Sequence, residues 1–265
     1  MDVVVLDLDG TLLRSDKTIS QRASAVLRRL KDMGQTLVFA TARPPRAVKA
    51  VLPAEFAMDY LVCYNGALVL QQGCVRSECA IPAADVRRIF TRLEKNAPCT
   101  ACGFEHEDQL FVRGSFDRHF STEFCTPMLP GGPCERSSPK VLVDLAGLDF
   151  AAFLGVLPAS CYALCTDGGG LCQIMPAGAT KESGVAAVLR ELGVGFEHVV
   201  CFGDDHNDVP LFQRAGCAVA MANAVPELKA IAHAVTGSND EDGVAEFLEQ
   251  RYAVNGVSEW CSPAR

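Results

Sequence analysis

Short, largely apolar runs recur along this chain, and they alternate with segments spaced as on amphipathic helices. Val3-Val4-Val5-Leu6 opens the series, and Thr36-Leu37-Val38-Phe39-Ala40, Tyr60-Leu61-Val62-Cys63-Tyr64 and His198-Val199-Val200-Cys201-Phe202 continue it. A strand that is apolar at every position, rather than at alternate ones, has both faces covered. The intervening segments supply the cover. Ser20 is placed to cap a helix whose apolar positions Ala23, Val26, Leu27, Leu30 and Met33 follow helical spacing, and Gly34 is placed to end it. Pro44 and Pro45 suit the first turn of a second helix. Alternation of this kind predicts an α/β fold, a doubly wound parallel sheet with helices on both faces.

From about Ile81 the rhythm changes. A helix over Ala83 to about Lys95 precedes two strand-like runs, Cys99–Glu105 and Leu110–Arg113, with Glu105-His106-Glu107-Asp108 as a solvated hairpin turn. A Pro/Gly-rich stretch covers Pro127–Pro139. A strand over Lys140–Leu145, a helix over about Asp149–Leu157 and two strands flanking Gly168-Gly169-Gly170 follow. Strands joined by tight turns predict an antiparallel sheet with helices on one face. From Pro176 the alternation resumes, with a helix over Lys181–Leu192, the strand His198–Phe202, a helix over Val209–Arg214, a strand over Cys217–Ala220, and helices over Val225–Ala232 and Gly243–Arg251. The expected organisation is a core built from 1–81 and 176–265, with an α+β domain inserted over 82–175. The residues after Asn255 carry no pattern.

The first strand runs directly into Asp7-Leu8-Asp9-Gly10-Thr11. A buried strand does not end in paired acids unless a cation or reactive group sits there. Gly10 and Thr11 then let the backbone turn and present amides to an anion. A second acidic segment, Gly203-Asp204-Asp205-His206-Asn207-Asp208, follows another buried strand. Three Asp and an Asn within five residues repel one another without a cation, and an oxygen-preferring divalent ion such as Mg²⁺ resolves this. An acidic helix N-terminus is the alternative. Two further strand ends or helix starts carry reactive groups, at Thr41-Ala42-Arg43 and at Lys181. Alone, Thr41 reads as a strand-end hydroxyl or helix cap, Lys181 as a solvated side chain, and Asn65-Gly66 as an ordinary turn pair.

Composition narrows the partners. Lys and Arg number 24 against 32 Asp and Glu, a net charge of −8 with no basic run, which argues against nucleic acid or an anionic membrane surface. The N-terminal apolar run is too short, and too soon acidic, for a signal peptide, and no uninterrupted apolar stretch is long enough to span a membrane. The 13 cysteines are odd in number and irregularly spaced, which fits reduced thiols in a cytoplasm better than a disulfide framework. Cys99-x-x-Cys102, with Cys161, Cys165 and Cys172, could suggest zinc, but residues three apart on a strand face opposite ways. The expected protein is cytoplasmic, a monomer or weak homo-oligomer, acting on a small molecule.

Together the four elements resemble the haloacid dehalogenase superfamily of phosphatases. Asp7-Leu8-Asp9-Gly10-Thr11 matches its first motif, Thr41 its second, Lys181 its third and Gly203–Asp208 its fourth, in order and across the whole chain. The insertion after Tyr64-Asn65-Gly66-Ala67, with Met221-Ala222-Asn223-Ala224 and Asn239-Asp240-Glu241-Asp242-Gly243, resembles the class IIB, Cof-like branch. The resemblance implies a Mg²⁺-dependent phosphatase for small phosphorylated metabolites, sugar phosphates foremost. Asp7 would be the nucleophile and Asp9 the proton carrier. Asp7, the Asp9 carbonyl and Asp204 would hold the metal, with Asp208 orienting them. Thr41 and Lys181 would bind the phosphoryl group, and Gly10, Thr11, Ala42, Arg43, Asn65 and Asn207 would contact substrate. The inserted domain would act as a cap that closes over the site and selects the leaving group.

Two departures stand out. The second motif reads Thr-Ala-Arg where relatives usually have Thr-Gly-Arg, and Glu182 follows Lys181 where Gly is common, placing a negative charge near the site. His206 occupies a variable position of the fourth motif. Two rival readings keep the same fold. A phosphotransferase or sugar phosphomutase would pass the phosphoryl group to a sugar, separable by isomer formation against free phosphate. A noncatalytic phosphometabolite sensor would be expected to lose Asp7, Asp9 or Asp204, and all three are present.

Overall fold

In the computed structural model, which describes residues 2–120, 125–128, 135–155 and 157–253, the chain forms two compact units. One comprises the described residues up to Ser77 and from Thr180 onward; the other is Glu78–Ala179. The first unit opens with β1 (Val3–Leu6), α1 (Gln21–Asp32), β2 (Thr36–Ala40), α2 (Pro45–Val51) and β3 (Tyr60–Cys63). Ser20 caps α1 by accepting the Ala23 N–H at 2.9 Å, and Gly34 follows its end with a φ of +77°. Neighbouring strands β4 (Leu68–Gln71) and β5 (Cys74–Glu78) come next, a pair the alternation did not predict. Their link is Gln72-Gly73, both left-handed, the geometry of a two-residue hairpin turn without its usual Asn-Gly signature.

The second unit holds α3 (Ala83–Asn96), β6 (Cys102–His106), β7 (Gln109–Arg113), β8 (Thr126–Pro127), β9 (Val141–Asp144), α4 (Phe150–Leu154), β10 (Cys161–Thr166) and β11 (Leu171–Pro176). Its sheet runs β10-β11-β9-β6-β7-β8, antiparallel except for the last pair. The strands alternate faces. Phe104, Val141, Val143, Cys172 and Ile174 meet Val86, Ile89, Phe90 and Leu93 of α3 and Phe153 of α4. Leu110, Leu142 and Leu171 form a smaller cluster with Phe116. Two sequence expectations need correction here. Cys99 lies in an exposed turn, not a strand, because Pro98 offers no N–H and Thr100 N closes back on Ala97 O at 3.1 Å. Glu105 is buried within β6, and the turn is confined to Glu107-Asp108, both left-handed. Most of the Pro127–Pro139 stretch and the tail after Asn255 fall outside the described residues.

The first unit then resumes with α5 (Lys181–Leu192), β12 (Val199–Gly203), α6 (Val209–Phe212), β13 (Cys217–Ala220), α7 (Pro226–Ile231), β14 (Ala234–Val235) and α8 (Gly243–Ala253). Its eight strands are ordered β14-β13-β12-β1-β2-β3-β4-β5. From β14 to β3 every pairing is parallel; β3 and β4 are antiparallel. β1, β3, β12 and β13 are buried at every position, as strands covered on both faces must be. α1 packs with α8, and α5 with α6.

Candidate active site

Strand order brings the two acidic segments together. From β1 the chain winds one way, to β2 and β3; from β12, the other neighbour of β1, it winds the opposite way, to β13 and β14. Ligands of such sheets bind beyond the carboxyl ends of the strands at this reversal. Asp7 N donates to Phe202 O at 3.2 Å, which extends the β1–β12 ladder to the first acid. Asp7 and Gly203–Asp208 therefore start side by side.

Asp7, Asp204 and Asp208 each bring a carboxylate oxygen within 4.8 Å of the others. Lys181 enters from the start of α5, with Nζ 2.7 Å from Asp7 Oδ1 and 2.7 Å from Asp208 Oδ1, and is only 1% exposed. Asp208 Oδ2 accepts the N–H groups of Asp204 at 3.1 Å and Asp205 at 3.2 Å. Thr11 Oγ1 donates to Asp204 Oδ1 at 3.0 Å. Gly10, with a φ of +75°, lies against that carboxylate, and a Cβ there would collide with it.

Three acids against one ammonium leave the cluster short of positive charge. Burial pushes the Asp7 carboxyl well above its ordinary range; Lys181 opposes this, while Asp208 and Asp204 reinforce it. Burial also raises Asp204, aided by the charge of Asp208, against hydrogen bonding with Asp7 and Thr11. For Lys181 burial works against the charged form, but Asp208 and Asp7 outweigh it and hold the ammonium above its usual value. Two carboxyl groups as close as Asp7 and Asp204 need a proton or a cation between them. The donor set consists of carboxylate oxygens, which fits a hard divalent cation.

α5 is anchored so that Lys181 has little freedom. Thr180 Oγ1 accepts Ser183 N at 3.0 Å and Ser183 Oγ accepts Thr180 N at 3.0 Å, a reciprocal cap. Gly66, with a φ of +96°, lies against the Thr180 carbonyl, where a side chain would collide. Glu182, expected to place a negative charge near the site, is paired with Arg214, whose guanidinium lies 4.0 Å from the Phe196 ring centroid.

Asp9 has a different environment from Asp7. Arg43 grips it through two N–H groups, Nε to Oδ2 at 2.5 Å and Nη2 to Oδ1 at 2.7 Å. Lys17 Nζ adds a third contact, to Oδ1 at 2.9 Å. Burial favours the neutral acid, but these partners prevail and hold the Asp9 carboxyl at about 2. The sequence reading missed Lys17, a lone lysine with no motif around it. The structure marks it by a left-handed φ of 67° and by the bonds that fasten its loop. Ser15 N and Oγ both donate to Asp240, and Arg14 Nη2 donates to Asp242 Oδ1 at 2.9 Å. Asn239 Nδ2 donates to Leu13 O at 2.9 Å and Asn223 Nδ2 to Gly10 O at 2.7 Å. The 221–224 and 239–243 segments thus tie down the turn after β1.

Thr41, buried at the end of β2, donates its N–H to Val62 O at 2.8 Å, and its Oγ1 accepts Arg43 N at 3.2 Å. Its carbonyl accepts Asn65 N at 2.9 Å, which draws the turn after β3 to the same place. Asn65 Oδ1 accepts Asn207 Nδ2 at 3.1 Å, while Asn207 Oδ1 is buried with no partner among the described residues. Ala42 sits half-buried between Thr41 and Arg43, and His206 is exposed. Among the described residues, the acidic trio is the one cluster that could hold a metal; the cysteines assemble no such site.

A doubly wound sheet with a buried aspartate–lysine cluster at its reversal places the site where such folds bind phosphorylated ligands. Residues 4–248 match the haloacid dehalogenase-like hydrolases, and the chain belongs to that family. It is 29% identical over 267 residues to the 5-amino-6-(5-phospho-D-ribitylamino)uracil phosphatase YitU of Bacillus subtilis, covering 95% of this chain and 98% of that one. A solved protein from Geobacillus kaustophilus superimposes with a TM-score of 0.84 at 25% identity, covering 94% of this chain and 98% of that one. A solved sugar phosphatase of subclass IIB shares the fold, with a TM-score of 0.76 at 22% identity over 94% and 98%. The protein is a phosphoric monoester hydrolase with the fold of the Cof-like branch. No helix among the described residues is long and apolar enough to cross a membrane.

Proposed function

We propose that the protein hydrolyses phosphomonoesters of small cytoplasmic metabolites, sugar phosphates foremost, in two steps through Asp7. The Asp7 carboxylate attacks phosphorus, and the ester oxygen leaves with a proton carried by Asp9. Water deprotonated by Asp9 then cleaves the phosphoaspartate. Lys181, Thr41 and the turn at Gly10-Thr11 bind the phosphoryl oxygens, while Ala42, Arg43, Asn65 and Asn207 contact substrate. Mg²⁺ is the fitting cation, and Asp7, the Asp9 carbonyl and Asp204 would hold it, with Asp208 orienting the set. When bound, it offsets the repulsion between Asp7 and the incoming phosphoryl group.

The observation that carries this reading is the buried Lys181 ammonium, shared at 2.7 Å between Asp7 and Asp208 where β1 and β12 end. Charge of that kind, fixed in advance, stabilises a transferring phosphoryl group. The relatives named for a phosphoribityl compound and for sugar phosphates support the substrate class. We assign the choice of alcohol to the inserted unit, because every group placed in the reaction comes from the other unit. Asp7→Asn tests the assignment. It should abolish phosphate release from a generic aryl phosphate while the circular dichroism spectrum stays unchanged, and retained turnover would exclude Asp7 as nucleophile.

A further inference from the structure

The inserted unit carries cysteines that the reaction does not use, and two of them stand opposite each other. In the β10–β11 hairpin Cys165 pairs with Cys172, between the pairs Leu164–Gln173 and Thr166–Leu171. Residues directly opposite in an antiparallel pair share a face, with Cβ atoms about 4.5–5.5 Å apart. A disulfide needs Cβ atoms roughly 3.5–4.5 Å apart, so a shift of about 1 Å closes the bond. β10 is the edge strand of its sheet and ends in a turn with left-handed Gly168 and Gly169, so it can make that shift without breaking a second ladder. Cys165 is exposed and Cys172 fully buried. Burial raises the Cys172 thiol to about 12, and nearby Cys165 adds to the effect.

Cys102 and Cys161 are too far. Cys102 and Cys172 both pair with Val143, so β9 separates them and their backbones are about 10 Å apart. Cys161 lies four residues along β10, about 13 Å from Cys165.

We propose that Cys165 and Cys172 form an oxidation site that reduces a low-molecular-weight disulfide and closes a cross-strand bond in its place. Cys165 loses its proton and attacks one sulfur of a reagent such as glutathione disulfide. The reagent's S–S bond breaks, and the first thiol leaves with that proton. Cys172 then attacks the Cys165 sulfur of the mixed disulfide, loses its own proton and expels the second thiol. Two protein thiols are oxidised and one disulfide is reduced.

The test is to treat the full chain with glutathione disulfide, cleave before Asp167, between the two cysteines, and analyse the fragments by non-reducing mass spectrometry. The expected result is a Cys165–Cys172 link, two hydrogens lost, no glutathione retained, and full reversal by dithiothreitol. Cys165→Ser should form no link and should release phosphate at the unoxidised rate. Glutathione retained on Cys165, either cysteine joined to a different one, or a Cys165 thiol still open to alkylation would each overturn the proposal.

Discussion

Asp7 and Asp9 are two residues apart and chemically alike, yet their surroundings separate them. By the protein's own groups, Asp7 is biased toward keeping a proton, and Asp9, gripped by Arg43 and Lys17, toward losing one. The proposed reaction needs the reverse. A cation against Asp7 favours its carboxylate, and a phosphoryl group that draws Arg43 and Lys17 away lets Asp9 carry a proton. In the proposed reaction the same residue type serves as nucleophile and as acid–base group only once cation and substrate invert these two environments. Asp9→Asn should therefore slow the first-turnover release of alcohol from alkyl phosphates by about 10²–10⁴-fold, and by much less from an aryl ester whose leaving group needs no proton. Equal losses in that first turnover would remove Asp9 from protonation of the leaving oxygen. The sign of the stability effect follows too. Asp9 lies below its ordinary 3.8, so its pairs with Arg43 and Lys17 stabilise the fold above that value and stop doing so as pH falls toward about 2.

At the scale of elements, α5 is the part whose position matters most, and a glycine sets it. A Cβ on Gly184 would collide with Val62 and come within 2.9 Å of Gly66 Cα. Gly184→Ala gains about 1 kcal/mol of helix propensity but overpacks this contact, which costs roughly 1–3 kcal/mol. The clash is with the stiff, buried Val62 side chain and with Gly66 backbone, so we expect net destabilisation, read as a lower urea midpoint, together with a lower kcat because Lys181 begins the same helix. The apolar strands, the α1 cap and both acidic segments were legible in the sequence because each has a local cause: an unbroken apolar run, a serine before helical spacing, acids that repel. Three features were not. The β4–β5 pair turns on left-handed residues other than Asn-Gly. The burial of Glu105 depends on its sheet neighbours. Lys17 matters through a contact made eight residues back along the chain, which no spacing rule signals.

For the whole molecule, the acidic trio gathers mutually repelling carboxylates that a bound cation would relieve. Binding to the folded state alone raises stability by about 2.7 kcal/mol at a concentration 100 times the dissociation constant. Adding Mg²⁺ to chelator-treated protein should therefore raise the Tm as well as restore phosphate release, and Asp204→Asn should lose most of that Tm rise. An unchanged Tm with saturating Mg²⁺ would separate the trio from the metal. The placement of β1 between β2 and β12 has a consequence for how the protein is made. β2 leaves the ribosome soon after β1, but β12 does not begin until Val199, after the whole inserted unit. Until then Val3–Leu6 offers one bare edge of the most apolar strand in the sheet, open to pairing with the wrong neighbour. The strand that ends at Asp7 is thus also the one a nascent chain must shield the longest.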